Sequence, residues 1–346
     1  MQLERILLIV ITTFIFTFVM TPIIKRIALH VGAMDIPNER KVHTKPIPRL
    51  GGLGIYFGFL FGYMLFGAHS IIMNAILIGS FIIILIGAID DVKPVPARYK
   101  LAGQIVSAII VSFYGGILLR DVSFFGIYLN FGIFSYPLTI LFIVGIINCI
   151  NLIDGLDGLA SGISAIYFLT IAIIAILMGM PMDLEIILCL IMFGSTLGFL
   201  VHNFYPAKIF MGDSGSMFLG YIISIICLLG FKNVTMTSLI IPMLLLAIPI
   251  MDTFFAIVRR IINHKPITMP DKNHLHHQLL RLNISHRNVV LIIYLIDILF
   301  AIASIVYVLK DQILGIIIYS ILFIIVLVLV LKTNIIYGDR KGKCRK

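Results

Sequence analysis

Five aspartates standing where apolar stretches end are the residues of this chain best suited to chemistry: Asp90, Asp91, Asp154, Asp157 and Asp213. A carboxylate is costly near lipid and usually marks function when it is found there. Asp90 and Asp91 are adjacent, directly after the apolar run 82–89. Their mutual repulsion suits a metal, a cationic partner or a general base, whereas the plainer reading is a stop signal at a helix end. Asp154 and Asp157 lie three apart in the segment 151–158, so a helical turn would set them on one face. Gly155, Gly158 and Gly162 would let a ligand or another helix approach the backbone closely. The plainer reading there is a polar turn. Asp213 belongs to a long Gly-flanked polar stretch, 203–216. Hard divalent cations such as Mg²⁺ take one or two carboxylates together with phosphate and water oxygens, a role that Asp213 fits. Phe210, three residues earlier, is placed to stack on a base or is simply a loop aromatic.

Other stretches carry polar groups of less specific meaning. His274, His276 and His277 invite a zinc reading, but this spacing converges poorly from a regular helix and no cysteine stands near. Hydrogen bonding to anionic or sugar oxygens suits them better. Arg259 and Arg260, after an apolar run, read as membrane anchors or as phosphate ligands. The segment 40–52 is basic and stiffened by Pro46 and Pro48, and Lys45 and Arg49 lie in it. It is either ordinary loop charge or a clamp for a polyanion. Asp297 falls in the middle of an apolar run, where a structural partner or a protonated carboxyl is expected. Cys149, Cys189, Cys227 and Cys344 form no CxxC pair, which leaves neither a zinc site nor a disulfide framework.

The elements that must position these groups follow from composition. The 346 residues are 60% hydrophobic, with mean hydropathy +1.12. Apolar runs near twenty residues recur, enough to cross a hydrocarbon core of about 30 Å as helix. Backbone groups in lipid must be satisfied within the segment, so the expected class is an all-α, polytopic integral membrane protein. Spans are read at about 6–24, 51–68, 71–89, 101–119, 137–153, 162–179, 185–203, 217–231, 237–258, 289–309 and 313–331. Eleven crossings put the termini on opposite sides. All but four of the 26 lysines and arginines then fall on one side, the exceptions being Arg5, Arg120, Lys232 and Lys310. The positive-inside rule makes that side cytoplasmic, with the N-terminus outside and the C-terminus inside. This distribution explains the +10 charge without nucleic acid. The first apolar stretch is too long for a signal peptide and reads as an uncleaved helix. The expected organisation is one transmembrane catalytic domain, 1–331, with cytoplasmic active-site loops and a basic cytoplasmic tail, 332–346. All five aspartates then reach the cytoplasmic face, where metal and basic loops favour phosphoryl chemistry on a nucleotide-activated donor, with a lipid acceptor.

The Asp90-Asp91 pair, the 151–158 segment, the Pro206-Ala207-Lys208 to Gly212-Asp213-Ser214-Gly215 stretch and His274-Leu275-His276-His277 together resemble the polyprenyl-phosphate N-acetylhexosamine-1-phosphate transferases. The likeness covers nearly the whole chain, in order. It is greatest to the bacterial branch that uses undecaprenyl phosphate and N-acetylglucosamine and begins teichoic acid or other envelope-polysaccharide synthesis. The phospho-MurNAc-pentapeptide branch has three consecutive histidines, which Leu275 interrupts here. The resemblance implies attack of undecaprenyl phosphate on the β-phosphate of UDP-GlcNAc, giving undecaprenyl-diphospho-GlcNAc and UMP, at the cytoplasmic face of a bacterial plasma membrane. It implies Mg²⁺, with Mn²⁺ as the alternative, held by Asp213 with Asn151. Asp157, Phe210 and Asn203 would serve the nucleotide, and Asp90 or Asp91 the lipid phosphate. Asp154 would orient metal water or the nucleotide. Lys45, Lys100, Arg259, Arg260, His274, His276 and His277 would meet phosphate or sugar. A homodimer is a family-level expectation. The competing readings are a phospho-MurNAc-pentapeptide transferase, a transferase using another UDP-N-acetylhexosamine, or a transporter with polar groups along a transmembrane path.

Overall fold

The computed structural model describes residues 2–37, 45–124, 127–229, 240–264 and 274–332. A helix lies at each of the eleven apolar stretches. In chain order these are α1 (Gln2–Val31), α2 (Gly51–Phe66), α3 (Ile71–Val92) and α4 (Ala97–Ile109), the last extended by a π-helical turn, Ile110–Tyr114. Then come α5 (Ser135–Ile153), α6 (Leu159–Leu177), α7 (Leu184–Asn203) and α8 (Gly212–Leu229). The ninth stretch is split into α9 (Ile240–Leu245) and α10 (Ala247–Ile262). A short α11 (Leu275–Arg281) precedes α12 (His286–Leu309) and α13 (Gln312–Lys332). Among the described residues, seven helices are long and apolar enough to cross a membrane: α1, α3, α5 with its preceding turn, α6, α7, α8 and α12. The chain is an all-α polytopic membrane protein in its class, with two small additions. Antiparallel ribbons pair β1 (Met34–Asp35) with β2 (Ile47–Pro48) and β3 (Asp121–Phe124) with β4 (Ile127–Asn130).

The sorting of side chains fits lipid rather than water. Leu7, Ile11, Ile15 and Val19 lie four apart on α1 and are all about half exposed. Ile313, Ile317 and Ile321 form a similar stripe on α13. Continuous apolar faces of that size are not left open to water in a soluble monomer. The inward faces use small residues instead. Thr13, Thr17 and Thr21 of α1 meet Gly54, Gly58 and Gly62 of α2, and Gly194 and Gly198 of α7. Four-residue spacing of small side chains lets helix backbones close up where no hydrophobic effect drives them together.

The centre of the bundle is α8, buried from Ser214 to Leu229 and packed by α3, α5 and α2. A helix apolar all round belongs in that place. It begins earlier than the eighth span as read from sequence, at Gly212, so Asp213 stands on its first helical turn and not in a long loop. Likewise α3 runs on to Val92, which puts Asp90 and Asp91 on its last turn. Residues 154–158 are a non-helical turn between α5 and α6, closed by Gly158 in a left-handed conformation (φ 78°). The helical face expected for Asp154 and Asp157 is therefore not formed; the glycines favour the turn. Within the basic loop, residues 40–44 lie outside the described residues, as do Lys232, residues 271–273 and the tail 333–346.

Candidate active site

The end of α3, the start of α8 and the start of α4 meet at one end of the bundle. Asp91 is wholly buried there and is committed to α8. Its Oδ1 accepts the Asp213 N–H at 2.9 Å, and its Oδ2 accepts the Ser214 N–H at 3.2 Å and the Ser214 hydroxyl at 2.6 Å. The first N–H groups of a helix lack intrahelical partners and carry partial positive charge, so a carboxylate satisfies both needs. Gly212 makes the approach possible. It takes a left-handed φ of 74°, and a methyl group there would collide with the Asp91 carboxylate.

Two cations balance this cluster. The Arg49 guanidinium donates to the backbone carbonyls of Asp90 (2.8 Å) and Asp91 (3.1 Å), closing the C-terminus of α3. It also lies 3.5 Å from Asp35 Oδ1 and 3.6 Å from Asp91 Oδ1. The Lys100 ammonium is 2.7 Å from Asp213 Oδ2 and 3.3 Å from Asp90 Oδ1. Burial would lower the Lys100 pKa, but the Asp213 and Asp90 carboxylates outweigh it and hold the ammonium charged. Oxygens of Asp90, Asp91 and Asp213 fall within 4.8 Å of one another, and among the described residues they form the one such group of three potential ligands. Carboxylate oxygens are the hard donors that a divalent cation of the Mg²⁺ type takes, and such an ion would compete with the Lys100 ammonium for Asp213 and Asp90. Asp213 is the member whose side chain is a quarter exposed and faces the adjoining cleft.

That cleft has a volume of about 300 Å³. Of the residues singled out in the sequence, Asn151, Asp154, Asp157, Asn203, Phe210, Asp213 and His277 line it. Asn151 donates its amide N–H to Ser216 Oγ at 2.8 Å, which leaves its carbonyl oxygen as the group able to face a cation. The Asp154 carboxyl is pushed up to about 8, first by burial and then by the carboxylates of Asp213, Asp91, Asp157 and Asp35. Asp157 Oδ2 accepts the Ala207 N–H at 2.9 Å, tying the turn to the segment that follows α7. Asn203 is buried. It accepts the Ser161 hydroxyl at 2.8 Å and donates to the Ile209 carbonyl at 3.0 Å, so it holds that segment from beneath. Phe210 donates its N–H to the Pro48 carbonyl at 2.8 Å and accepts from Gly51 N–H at 3.0 Å.

The histidines form a second layer. His274 Nδ1 lies 2.8 Å from Asp252 Oδ2, and Asp252 Oδ1 accepts the Leu275 N–H at 2.8 Å, capping α11. His276 is buried with its Nε2 unpartnered among the described residues, set against Gly155. Burial, then the neighbouring His277, lowers its pKa to about 3, so the ring is neutral. No histidine belongs to a metal-capable group among the described residues. Lys45, Arg259 and Arg260 do not line the cleft. Lys45 is exposed, and both arginines are buried at the end of α10, which does not suit snorkelling anchors. Asp297 is buried on α12, and its Oδ1 has no partner among the described residues; it does not line the cleft.

Sequence reasoning passed over Asp35 and His286, which line the cleft, and Asp252, which orders the histidines. Asp35 and His286 stand singly beside apolar runs and carry no spacing signal. Asp252 did carry one, as an acid inside the ninth apolar stretch, so Asp297 is not the sole acid within an apolar stretch.

The chain is similar to known proteins over most of its length. Residues 73–231, which contribute Asp90, Asp91, Lys100, Asn151, Asp154, Asp157, Phe210 and Asp213, match the family model Glycosyl transferase family 4. The chain is 46% identical over 310 residues to the probable undecaprenyl-phosphate N-acetylglucosaminyl 1-phosphate transferase of Bacillus subtilis, covering 88% of this chain and 86% of that one. It is 33% identical over 325 residues to the decaprenyl-phosphate N-acetylglucosaminephosphotransferase of Mycolicibacterium smegmatis, covering 85% and 80%. It is 28% identical over 292 residues to the undecaprenyl-phosphate alpha-N-acetylglucosaminyl 1-phosphate transferase of Escherichia coli O157:H7, covering 82% and 79%. With such likeness over most of the chain, and the family's segment supplying Asp154, Asp157 and Asp213 of the cleft, the chain belongs to glycosyl transferase family 4.

Proposed function

We propose that the protein transfers N-acetylglucosamine 1-phosphate from UDP-GlcNAc to undecaprenyl phosphate, releasing UMP, as the first membrane step of teichoic acid or another envelope polysaccharide. The observation that carries this reading is the meeting of Asn151, Asp154, Asp157, Phe210 and Asp213 in one cleft, beside the Lys100–Asp90 contact. The names of the relatives carry the acceptor, undecaprenyl phosphate, and the group transferred, N-acetylglucosaminyl 1-phosphate, which supports this reading. A transporter would want its polar groups near the midplane, whereas these gather at the ends of helices.

In the reaction a phosphate oxygen of the lipid bonds to the β-phosphorus of the donor. The bond from that phosphorus to the oxygen bridging the α-phosphate breaks, and the electron pair leaves with UMP. Asp213 and the Asn151 carbonyl would hold Mg²⁺ or Mn²⁺, which when bound neutralises the diphosphate. Lys100 stands between Asp213 and Asp90, so its ammonium is placed to meet the phosphate that arrives from the lipid. A phosphate monoester has its second pKa near about 6, so Asp90 has little proton to remove and acts by positioning. Phe210 offers a ring for the uracil, with Asp157 and Asn203 fixing the backbone around it.

The same reading makes residues 1–331 one catalytic domain with eleven crossings and 332–346 a tail. It puts the N-terminus outside, the C-terminus and the cleft on the cytoplasmic face, and admits a homodimer. The test is UMP release by purified protein in detergent given UDP-GlcNAc, undecaprenyl phosphate and Mg²⁺. Release should stop when the lipid is omitted or EDTA is added. Absence of UMP with all three present would overturn the reading.

A further inference from the structure

The turn 154–158 presents Asp154 and Asp157 to the cleft yet has no regular structure of its own. It is gripped from the C-terminal third of the chain, beyond the family-matching segment. The Tyr294 hydroxyl donates to the Gly158 carbonyl, and its ring lies over Gly162. Two turns earlier on the same helix, His286 Nε2 accepts the Asp157 N–H at 3.0 Å. With Nε2 as acceptor, the imidazole carries its proton on Nδ1. His286 is not a remote support. It lines the cleft, its ring centre is 4.8 Å from that of Tyr205, and its Nε2 is 3.8 Å from Asp157 Oδ1. Two residues beyond Tyr205, Ala207 donates its N–H to Asp157 Oδ2. His286 thus joins α12, the 154–158 turn and the segment after α7 at one point.

We propose that His286 is a positioning residue of the donor site, fixing the orientation of Asp157 and thereby the affinity for the uridine nucleotide. This rests on the donor-side reading of the cleft given above. On the same reading the lipid phosphate is met at Lys100 and Asp90, neither of which is among the residues lining the cleft, so loss of the His286 acceptor weakens donor binding and leaves acceptor binding alone. A side chain that merely filled space would not distinguish the two substrates, nor would it care whether its tip accepts a hydrogen bond.

The experiment compares wild type, His286→Met and His286→Gln. Glutamine can bring an acceptor oxygen to the Asp157 N–H; methionine fills similar volume without a good one. UMP release is measured against UDP-GlcNAc and undecaprenyl phosphate separately, and UMP binding is read as a melting shift in detergent. His286→Met should raise the donor KM about tenfold, the effect of one lost hydrogen bond in a protected site. Its acceptor KM should stay within about twofold and its UMP-induced melting shift should shrink, while His286→Gln stays within about threefold of wild type throughout. An unchanged donor KM in His286→Met, a parallel rise in both KM values, or a glutamine variant as impaired as the methionine one would overturn the proposal. If the methionine variant does not fold, His286→Asn, whose amide is too short to reach, reads the same contrast. UMP binding needs no turnover. An inactive wild type whose UMP shift is lost in His286→Met therefore counts against the transfer reading alone.

Discussion

Asp91 and Asp213 are carboxylates on facing helix ends, yet the geometry gives them opposite tasks. Asp91 has no exposure and accepts three hydrogen bonds from the first turn of α8. Asp213 has a quarter of its side chain exposed and meets Lys100. Asp91→Ala should therefore lower the melting temperature in detergent, since each buried donor left unsatisfied costs about 1–3 kcal/mol. It should lose UMP release as well, because Asp213 is no longer held. Asp213→Ala should melt within a few degrees of wild type, or above it because one member of an acidic cluster is gone, and still release no UMP. Equal melting temperatures for the two variants would contradict this division. Sequence alone could not have made it. The Asp90-Asp91 doublet is plain in the chain, but which member turns toward α8 depends on Gly212 and on the packing of α3 against α8.

Helix boundaries decide what those residues touch. The apolar stretches were legible because period and length are strong signals in a chain so poor in charge. Helix ends were not, because polar residues continue a helix when another element satisfies its terminus. Asp213 and Ser214 look like loop residues until Asp91 is seen to cap them. The ordering of α11 by Asp252 likewise depends on a partner far away in sequence, whereas the break after α9 is local, since Pro249 has no N–H to give the Leu245 carbonyl. Close packing of α2 on α8 has the same origin. A methyl group at Gly52 would overlap the backbone nitrogen of Gly215, two residues from Asp213. Gly52→Ala should cost about 1–3 kcal/mol and displace the catalytic end of α8, so turnover falls together with melting temperature. Gly145 of α5 has open space where a Cβ would stand. Gly145→Ala should be neutral or stabilising by up to about 1 kcal/mol, with turnover unchanged. A Gly52 variant as stable and active as the Gly145 variant would mean that the α2–α8 contact is not tight.

At the scale of the molecule, the expectation that the acids share one membrane side has a structural counterpart: the ends of α3 and α5, the first half of α10 and the starts of α2, α4, α8 and α12 all contribute to one end of the bundle. A consecutive pair such as α3 ending and α4 starting at the same end requires an even alternation of directions between them. The β3–β4 ribbon, which follows α4, then belongs to the opposite end. The proposed topology, read from charge bias, puts the acid-bearing end at the cytoplasm. Accessibility of introduced thiols tests that assignment. Cys149, Cys189 and Cys227 are buried, so Cys344→Ser gives a background with little reactive thiol. In that background Asn130→Cys, exposed at the end of β4, should react with a membrane-impermeant maleimide on intact cells. Lys45→Cys, exposed beside β2, should react only after the membrane is permeabilised. The reverse pattern would invert the whole chain, placing the nucleotide cleft where no cytoplasmic sugar nucleotide could reach it, and the proposed transfer would fail with the topology.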